Sequence, residues 1–378
     1  MGLGAVGARS ARQLLSSKAV SELVVFSRDP AKAGTRLATL GGRGVLSLEP
    51  LSAPAFSEAL PGAAVTVLAA PGPCHDLAAA SLTAGVPVVS TSDDPHEVRS
   101  LLTLDDEAGR LGLPIAVGAG MVPGLSCLLA GWAAALMDEV TEVHVASLGT
   151  GGPACARRHH AALREAVEEW RDGETVRRVA GSGRELVWFP EQAGADCYRV
   201  NRPDPLLLTR AFPTLRSVTT RAAASRRDRF TSWLPMLRQP HPEGTVGALR
   251  VEVRGRRAGA AETVVVGSAG RPALLAGAVA AAAAVRAADG RLRPGAGGLA
   301  SLAGAPGEFL SELSDRGVPL LTFEGTGITA GGGQPLGDRQ PAGDGQPAGG
   351  GQPLGDRQPA GDGQPAGDGR PEGADEAM

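Results

Sequence analysis

Lysine is almost absent from this chain: Lys18 and Lys32 are the only two in 378 residues, while arginine is abundant. Together with the heavy use of Ala, Gly and Pro, this reads as a coding bias. An isolated arginine therefore carries little functional weight. Aromatic residues make up 3% of the chain. Net charge is −3, which argues against a nucleic-acid-binding surface. The longest apolar run, Pro272 to Val285, falls short of the roughly 20 residues that a bilayer span needs, so it is expected to be a packed helix. The four cysteines, Cys74, Cys127, Cys155 and Cys197, lie far apart in no metal-type pairing. No signal peptide is read before them, so reduced thiols in a cytoplasmic protein are the expectation, with no metal. No P-loop, paired-carboxylate spacing or Ser-His-Asp order is visible. From Gly331 onward large apolar residues nearly vanish, and a Gly/Pro/Gln/Asp block repeats from Gln334 and again from Gln352. Such a segment cannot bury enough surface to offset its ordering entropy, and a disordered tail is expected.

What is present begins at the second residue. Gly2-Leu3-Gly4-Ala5-Val6-Gly7 is a G-x-G-x-x-G turn, and Ala8 to Ser17 continues with helical spacing. Leu23-Val24-Val25-Phe26 reads as a buried strand, and Asp29-Pro30 opens a helix. Val65 to Ala69 is a strand ending at Pro71-Gly72-Pro73, followed by a helix from about Cys74 to Ala84. Val86 to Ser90 is the next strand, then a helix from about Pro95 to Leu111, then the strand Pro114 to Val117. Short, fully apolar strands between amphipathic helices imply a parallel sheet covered on both faces.

In that setting the glycines have mechanical roles. The first permits a tight turn, the second lets backbone approach a pyrophosphate, and the third lets helix and strand pack closely. The helix N-terminus then offers free N–H groups to the phosphate. A strand should feed such a turn, and only Met1 precedes it. The expectation is a first strand truncated by a start assigned too far downstream. Ser27 stands where NAD sites place an acid, and Arg28 follows it, so NADP(H) is favoured over NAD(H). The expected cofactor-binding residues are Gly2, Gly4, Ala5, Val6, Gly7, Ser27, Arg28, Ala70, Pro71, Gly72, Ser92 and Gly120.

Three segments form a recognisable series: Ala69 to Pro73, Ala84 to Asp94, and Gly118-Ala119-Gly120-Met121-Val122-Pro123-Gly124-Leu125-Ser126. The series resembles the saccharopine dehydrogenase-like family of NAD(P)-dependent oxidoreductases, well over residues 2 to 130 and loosely beyond. The resemblance implies a Rossmann domain with an inserted α/β domain, and a substrate in the cleft between them. Family members act on amino-acid-derived imines or secondary amines. The chain departs from several of them at Val122, where they carry an acidic residue.

Beyond Thr141 the character changes. Glu142 to Leu148 alternates as a half-buried strand, and a second glycine-rich turn, Gly149 to Ala154, leads into a helix expected from Ala154 to Trp170. That turn is suited to an anion such as a carboxylate. The helix carries His159 and His160; with Asp93 these are the candidate catalytic residues. Arg184 to Phe189, Thr219 to Arg221, Leu249 to Gly255 and Thr263 to Gly267 read as antiparallel strands.

The expected fold is α/β: a Rossmann doubly wound parallel sheet, its first strand truncated, with an inserted α+β substrate domain and a disordered tail. Boundaries fall at 1–125, 126–268 (substrate and dimerisation), 269–328 (helices returning to the first domain) and 329–378. The expected function is NAD(P)-dependent oxidoreduction of a small polar substrate, with no nucleic-acid or membrane partner and homodimer formation left open. A non-catalytic dinucleotide sensor and a non-redox enzyme with tightly held NAD(P) are the alternatives.

Overall fold

Apolar runs too short for a helix, bounded by Gly, Pro and polar turns, set the first half of the chain. The computed structural model describes residues 2–38, 45–236, 239–323 and 334–335. In chain order the first part holds α1 (Ala5–Leu15), β1 (Glu22–Ser27), α2 (Pro30–Leu37), β2 (Val45–Pro50), α3 (Ala53–Ala59), β3 (Thr66–Leu68), α4 (His75–Thr83), β4 (Val88–Ser90), α5 (Pro95–Leu102), α6 (Asp105–Leu111) and β5 (Pro114–Ala116). There follow α7 (Leu125–Ala134), β6 (Glu139–Leu148), α8 (Pro153–Ala162), β7 (Val167–Arg171), β8 (Glu174–Arg178), β9 (Glu185–Val187), β10 (Ala195–Arg199), α9 (Asp204–Ala211), β11 (Ser217–Ala223), α10 (Arg226–Thr231), β12 (Gly247–Arg257) and β13 (Ala260–Gly270). The last stretch holds α11 (Pro272–Ala288), β14 (Gly295–Gly297), α12 (Leu299–Leu302), α13 (Pro306–Asp315), β15 (Leu321–Phe323) and the two-residue β16 (Gln334–Pro335).

The parallel strands fall into two groups. One has the order β14-β5-β4-β3, and β1 pairs with β2 in the other. Among the described residues no strand joins β1 to β3. Gly2 stands between their ends: its N–H donates to the Phe26 carbonyl at 3.0 Å, and a Cβ on it would lie 2.8 Å from the Ala69 oxygen. The second sheet is mixed, in the order β16-β15-β13-β12-β6-β11-β10-β9 with β7 and β8 at its side. Within it β6 and β11 run parallel, while β6, β12 and β13 are antiparallel neighbours.

Because β14 returns to pair with β5, the mixed sheet is an insertion into the parallel one. One apolar core serves both. Val88 and Ile115 of the parallel strands, Leu128 of α7, Val143 and Val251 of the mixed sheet, and Ala281 of α11 belong to the same buried cluster. The residues through Asp338 accordingly form one compact unit. The Ala-rich α11 packs along α1. Gly277 makes the close approach possible, since a Cβ there would strike the Arg9 side chain. No helix among the described residues is long and apolar enough to cross a membrane.

Two elements differ from the sequence expectation. The single helix expected from Pro95 to Leu111 breaks into α5 and α6. Thr103 caps α5, its hydroxyl donating to the Ser100 carbonyl at 2.7 Å. Restarting at Asp105 then lets that carboxylate accept the Ala296 N–H at 2.8 Å and anchor β14. The helix expected from Ala154 to Trp170 stops at Ala162. Val167 to Arg171 instead forms β7, with Val167 and Glu169 buried in alternation. It turns through Asp172-Gly173, both at positive φ, into β8 in the register Arg171↔Glu174. This is the two-residue hairpin that Asp-Gly favours. The tail expected from residue 329 lies outside the described residues, apart from Gln334 and Pro335, which pair with β15.

Candidate functional site

A cleft of about 500 Å³ runs from the glycine turn at α1 to the start of α8. At the α1 end, Gly4 is the N-cap residue and supplies no side-chain cap, so the first N–H groups of the helix stay available. The three glycines do different things. A Cβ on Gly7 would collide with the Gly2 carbonyl, so Gly7 lets the helix close on its own turn. Gly2 sits at φ +84° against Ala69. A Cβ on Gly4 would meet nothing within 4 Å; it would project into open space where a ligand has to approach.

The end of β1 borders the same region. Ser27 and Asp29 are occupied locally: the Ser27 hydroxyl donates to the Asp29 carbonyl at 3.1 Å, and Asp29 accepts the Lys32 N–H at 3.0 Å. Arg28 and Lys32 line the cleft, and no ion pair engages either among the described residues. Open backbone at Gly4, free N–H groups and two uncompensated cations fit the phosphates of a dinucleotide.

The opposite end is built from side chains. Asp93, in the loop between β4 and α5, is ion-paired with Arg202 just before α9. The Arg202 side chain is only 9% exposed, and its Nε has no hydrogen-bond partner among the described residues. Asp94 caps α5 through the His96 N–H at 2.8 Å and lies 3.9 Å from Arg158. Arg158 in turn binds both oxygens of Glu165 at 2.8 Å. Arg157 is exposed on the cleft and forms no ion pair among the described residues. Burial, followed by the charge of Asp93, pushes the Cys155 thiol up to about 11.

Behind Arg202, Ser126 donates to Asp204 at 2.6 Å. That bond ties the start of α7 to the start of α9. Asp204 is fully buried, and burial raises its carboxyl to about 6.

Of the residues expected to hold a cofactor, Gly2, Gly4, Ala5, Val6, Ser27, Arg28, Ala70, Pro71, Gly72, Ser92 and Gly120 all line the cleft. Gly7 packs behind them. Asp93 lines it as well, whereas His159 and His160 do not. The start of α8 borders the cleft and the helix then runs away, so both histidines sit a turn too deep. The His160 Nε2 is taken up by the Leu234 carbonyl at 2.8 Å. His159 is lowered to about 4, by burial first and then by Arg202, so it is neutral near pH 7. Lys32, Cys155, Arg158 and Arg202 border the cleft without having been singled out from the sequence.

No protein-family model matches the chain, and no curated protein sequence matches it. Solved structures do. Saccharopine dehydrogenase (L-Glu forming) from Saccharomyces cerevisiae superposes with a TM-score of 0.60 at 14% identity, over 85% of this chain and 98% of that one. An amine dehydrogenase from Mycobacterium smegmatis gives 0.47 at 11% identity, over 79% of this chain and 93% of that one. The C. glutamicum DAP dehydrogenase gives 0.41 at 16% identity, over 83% and 97%. The chain has the fold of the saccharopine dehydrogenase-like oxidoreductases, as the segments around Gly118 to Ser126 implied.

Proposed function

We propose that this chain is an NADP(H)-dependent oxidoreductase acting on a C=N or C=O group of a small, anionic, amino-acid-derived substrate. One observation carries the reading. A single cleft joins an open glycine turn, flanked by Arg28 and Lys32 with no ion-pair partner among the described residues, to a polar end holding Asp93, Arg202 and Arg157. The likeness in fold to a saccharopine dehydrogenase supports a dehydrogenase reading.

In this reading the α1 N–H groups and the Gly2 to Val6 backbone receive the pyrophosphate, and Arg28 with Lys32 receives a 2′-phosphate. When bound, the cofactor supplies hydride transfer, which asks little of protein side chains beyond orientation and a proton. Arg157, exposed and unpaired, holds the substrate's anionic group at the other end. The proton falls to Asp93. His159 and His160 are outside the cleft, the Cys155 thiol is held too high to exchange at neutral pH, and Asp94 is engaged as a helix cap. Arg202 fixes the orientation of the Asp93 carboxylate.

The test is titration of the purified protein with NADPH and NADH, followed by turnover with 2-oxo acids and amines. NADPH should bind at least tenfold more tightly, a difference of about 1.4 kcal/mol, and Arg28→Ala should erase the preference. Asp93→Asn should lower kcat by about 10² or more. Equal affinity for both cofactors would overturn the NADP(H) assignment. Tight binding with no turnover across the panel would favour a sensor.

A further inference from the structure

Glu97 is a buried carboxylate that this reading leaves unused. It lies in the first turn of α5, is 9% exposed, and has no ion-pair partner among the described residues. A carboxylate withdrawn from water without a cation is costly, so its contacts explain its place. One oxygen accepts the Cys74 N–H at 2.7 Å. The other lies so close to Gly72 that a Cβ there would collide with it. Both contacts fall on the loop after β3, whose Ala69, Ala70, Pro71 and Gly72 form one wall of the cleft. The other side of that loop meets the glycine turn, through Gly2 against Ala69. The N-cap of α5, Asp94, borders the far end of the same cleft.

We infer that Glu97 is a positioning residue for the dinucleotide: it clamps the Pro71-Gly72-Pro73 loop from behind and so fixes the width of the crevice opposite the glycine turn. The inference rests on the proposed NADP(H) site. Glu97 does not itself face the cleft. It acts through the backbone of Gly72 to Cys74, with the α5 N-terminus favouring the negative charge. Gly72 is the complementary half of the clamp, since any side chain there would push the carboxylate off the Cys74 N–H.

The test is the dissociation constant of NADPH, measured by fluorescence on the full chain, beside melting temperature and steady-state kinetics. Glu97→Ala should weaken NADPH binding about tenfold while kcat at saturating cofactor stays within twofold. Glu97→Gln, which keeps an oxygen for the Cys74 N–H, should restore affinity to within twofold of wild type. Gly72→Ala should weaken binding as Glu97→Ala does with the carboxylate still present, and it decides the matter if Glu97→Ala does not fold. Wild-type NADPH affinity in Glu97→Ala, or a fall in kcat with affinity unchanged, would overturn the inference. Failure of the wild-type protein to bind NADPH would instead overturn the proposed function.

Discussion

Two glycine-rich turns, each opening a helix, border one cleft and meet where Gly152 approaches Ala5, yet they are built differently. At Gly2 to Gly7 the central glycine faces open space, and the helix it opens presents Ala5 and Val6 rather than charges. At Gly149 to Gly152 the glycines are filled. A Cβ on Gly149 would lie 2.6 Å from the Val246 carbonyl, and one on Gly151 would lie 3.3 Å from both the Cys155 sulfur and the Ala273 nitrogen. One on Gly152 would lie 2.6 Å from the Cβ of Ala5. The Thr150 N–H is already bonded to the Thr245 hydroxyl at 3.0 Å. The first turn offers backbone to a ligand. The second spends its glycines on bringing two parts of the protein together; Gly149 to Gly152 still line the cleft, beside Cys155, Arg157 and Arg158 of α8. A glycine run before a helix thus marks close approach of backbone to something; what approaches is decided by whether the space is empty.

The sharpest way to break this comparison is to add a side chain at each turn. Gly4→Val places its branch in free space and should leave the melting temperature within about 2 °C of wild type, while NADPH binding falls below detection. Gly152→Ala should do the reverse. It combines a backbone at φ +129°, where an L side chain is strained, with a contact against Ala5. Strain and overpacking each cost about 1–3 kcal/mol, so roughly 4 kcal/mol of folding stability should be lost, with the folded fraction still binding cofactor. Thermal denaturation and NADPH titration on both variants check this. A Gly4→Val protein that binds normally would remove the distinction.

The same contrast governs what the sequence disclosed. Backbone features were legible because local residue types dictate them: the G-x-G-x-x-G turn, the fully apolar strands β3, β4 and β5, and the Ser27-Arg28 corner all stand where expected. Side-chain features were not. Arg202 meets Asp93 across 109 positions, and in an arginine-rich chain a single Arg carries no local mark. The close packing of the second turn was not legible because the neighbours that fill it, Ala5, Val246 and Ala273, come from distant segments. Residues Val167 to Trp170 were read as helix although the Asp172-Gly173 hairpin signal lay close by; pairing with β8 and β11 overrode a run with helical composition. The break at Thr103 likewise depends on Asp105 reaching β14.

A smaller effect sharpens the comparison from the side-chain end, which should also be the pH-sensitive end. Asp204 is raised from 3.8 to about 6 by burial. The stability that goes with its protonated form is therefore fully present below about pH 4 and lost as pH rises through 6. His159 is lowered from 6.5 to about 4, so the stability that goes with its neutral form is present above about pH 6.5 and lost as pH falls to 4. Each contribution is on the order of 3 kcal/mol, and the two act in opposite directions over the same window. These two contributions should therefore largely offset each other between pH 4 and 6.5. Asp204→Asn, left with the histidine, should become more stable as pH rises; His159→Gln, left with the aspartate, should become less stable. Because His159 lies outside the cleft, His159→Gln should also keep kcat within about threefold at pH 7.5. Urea denaturation at three pH values gives both slopes, and equal slopes in the two variants would show that these groups do not titrate against burial at this end of the cleft.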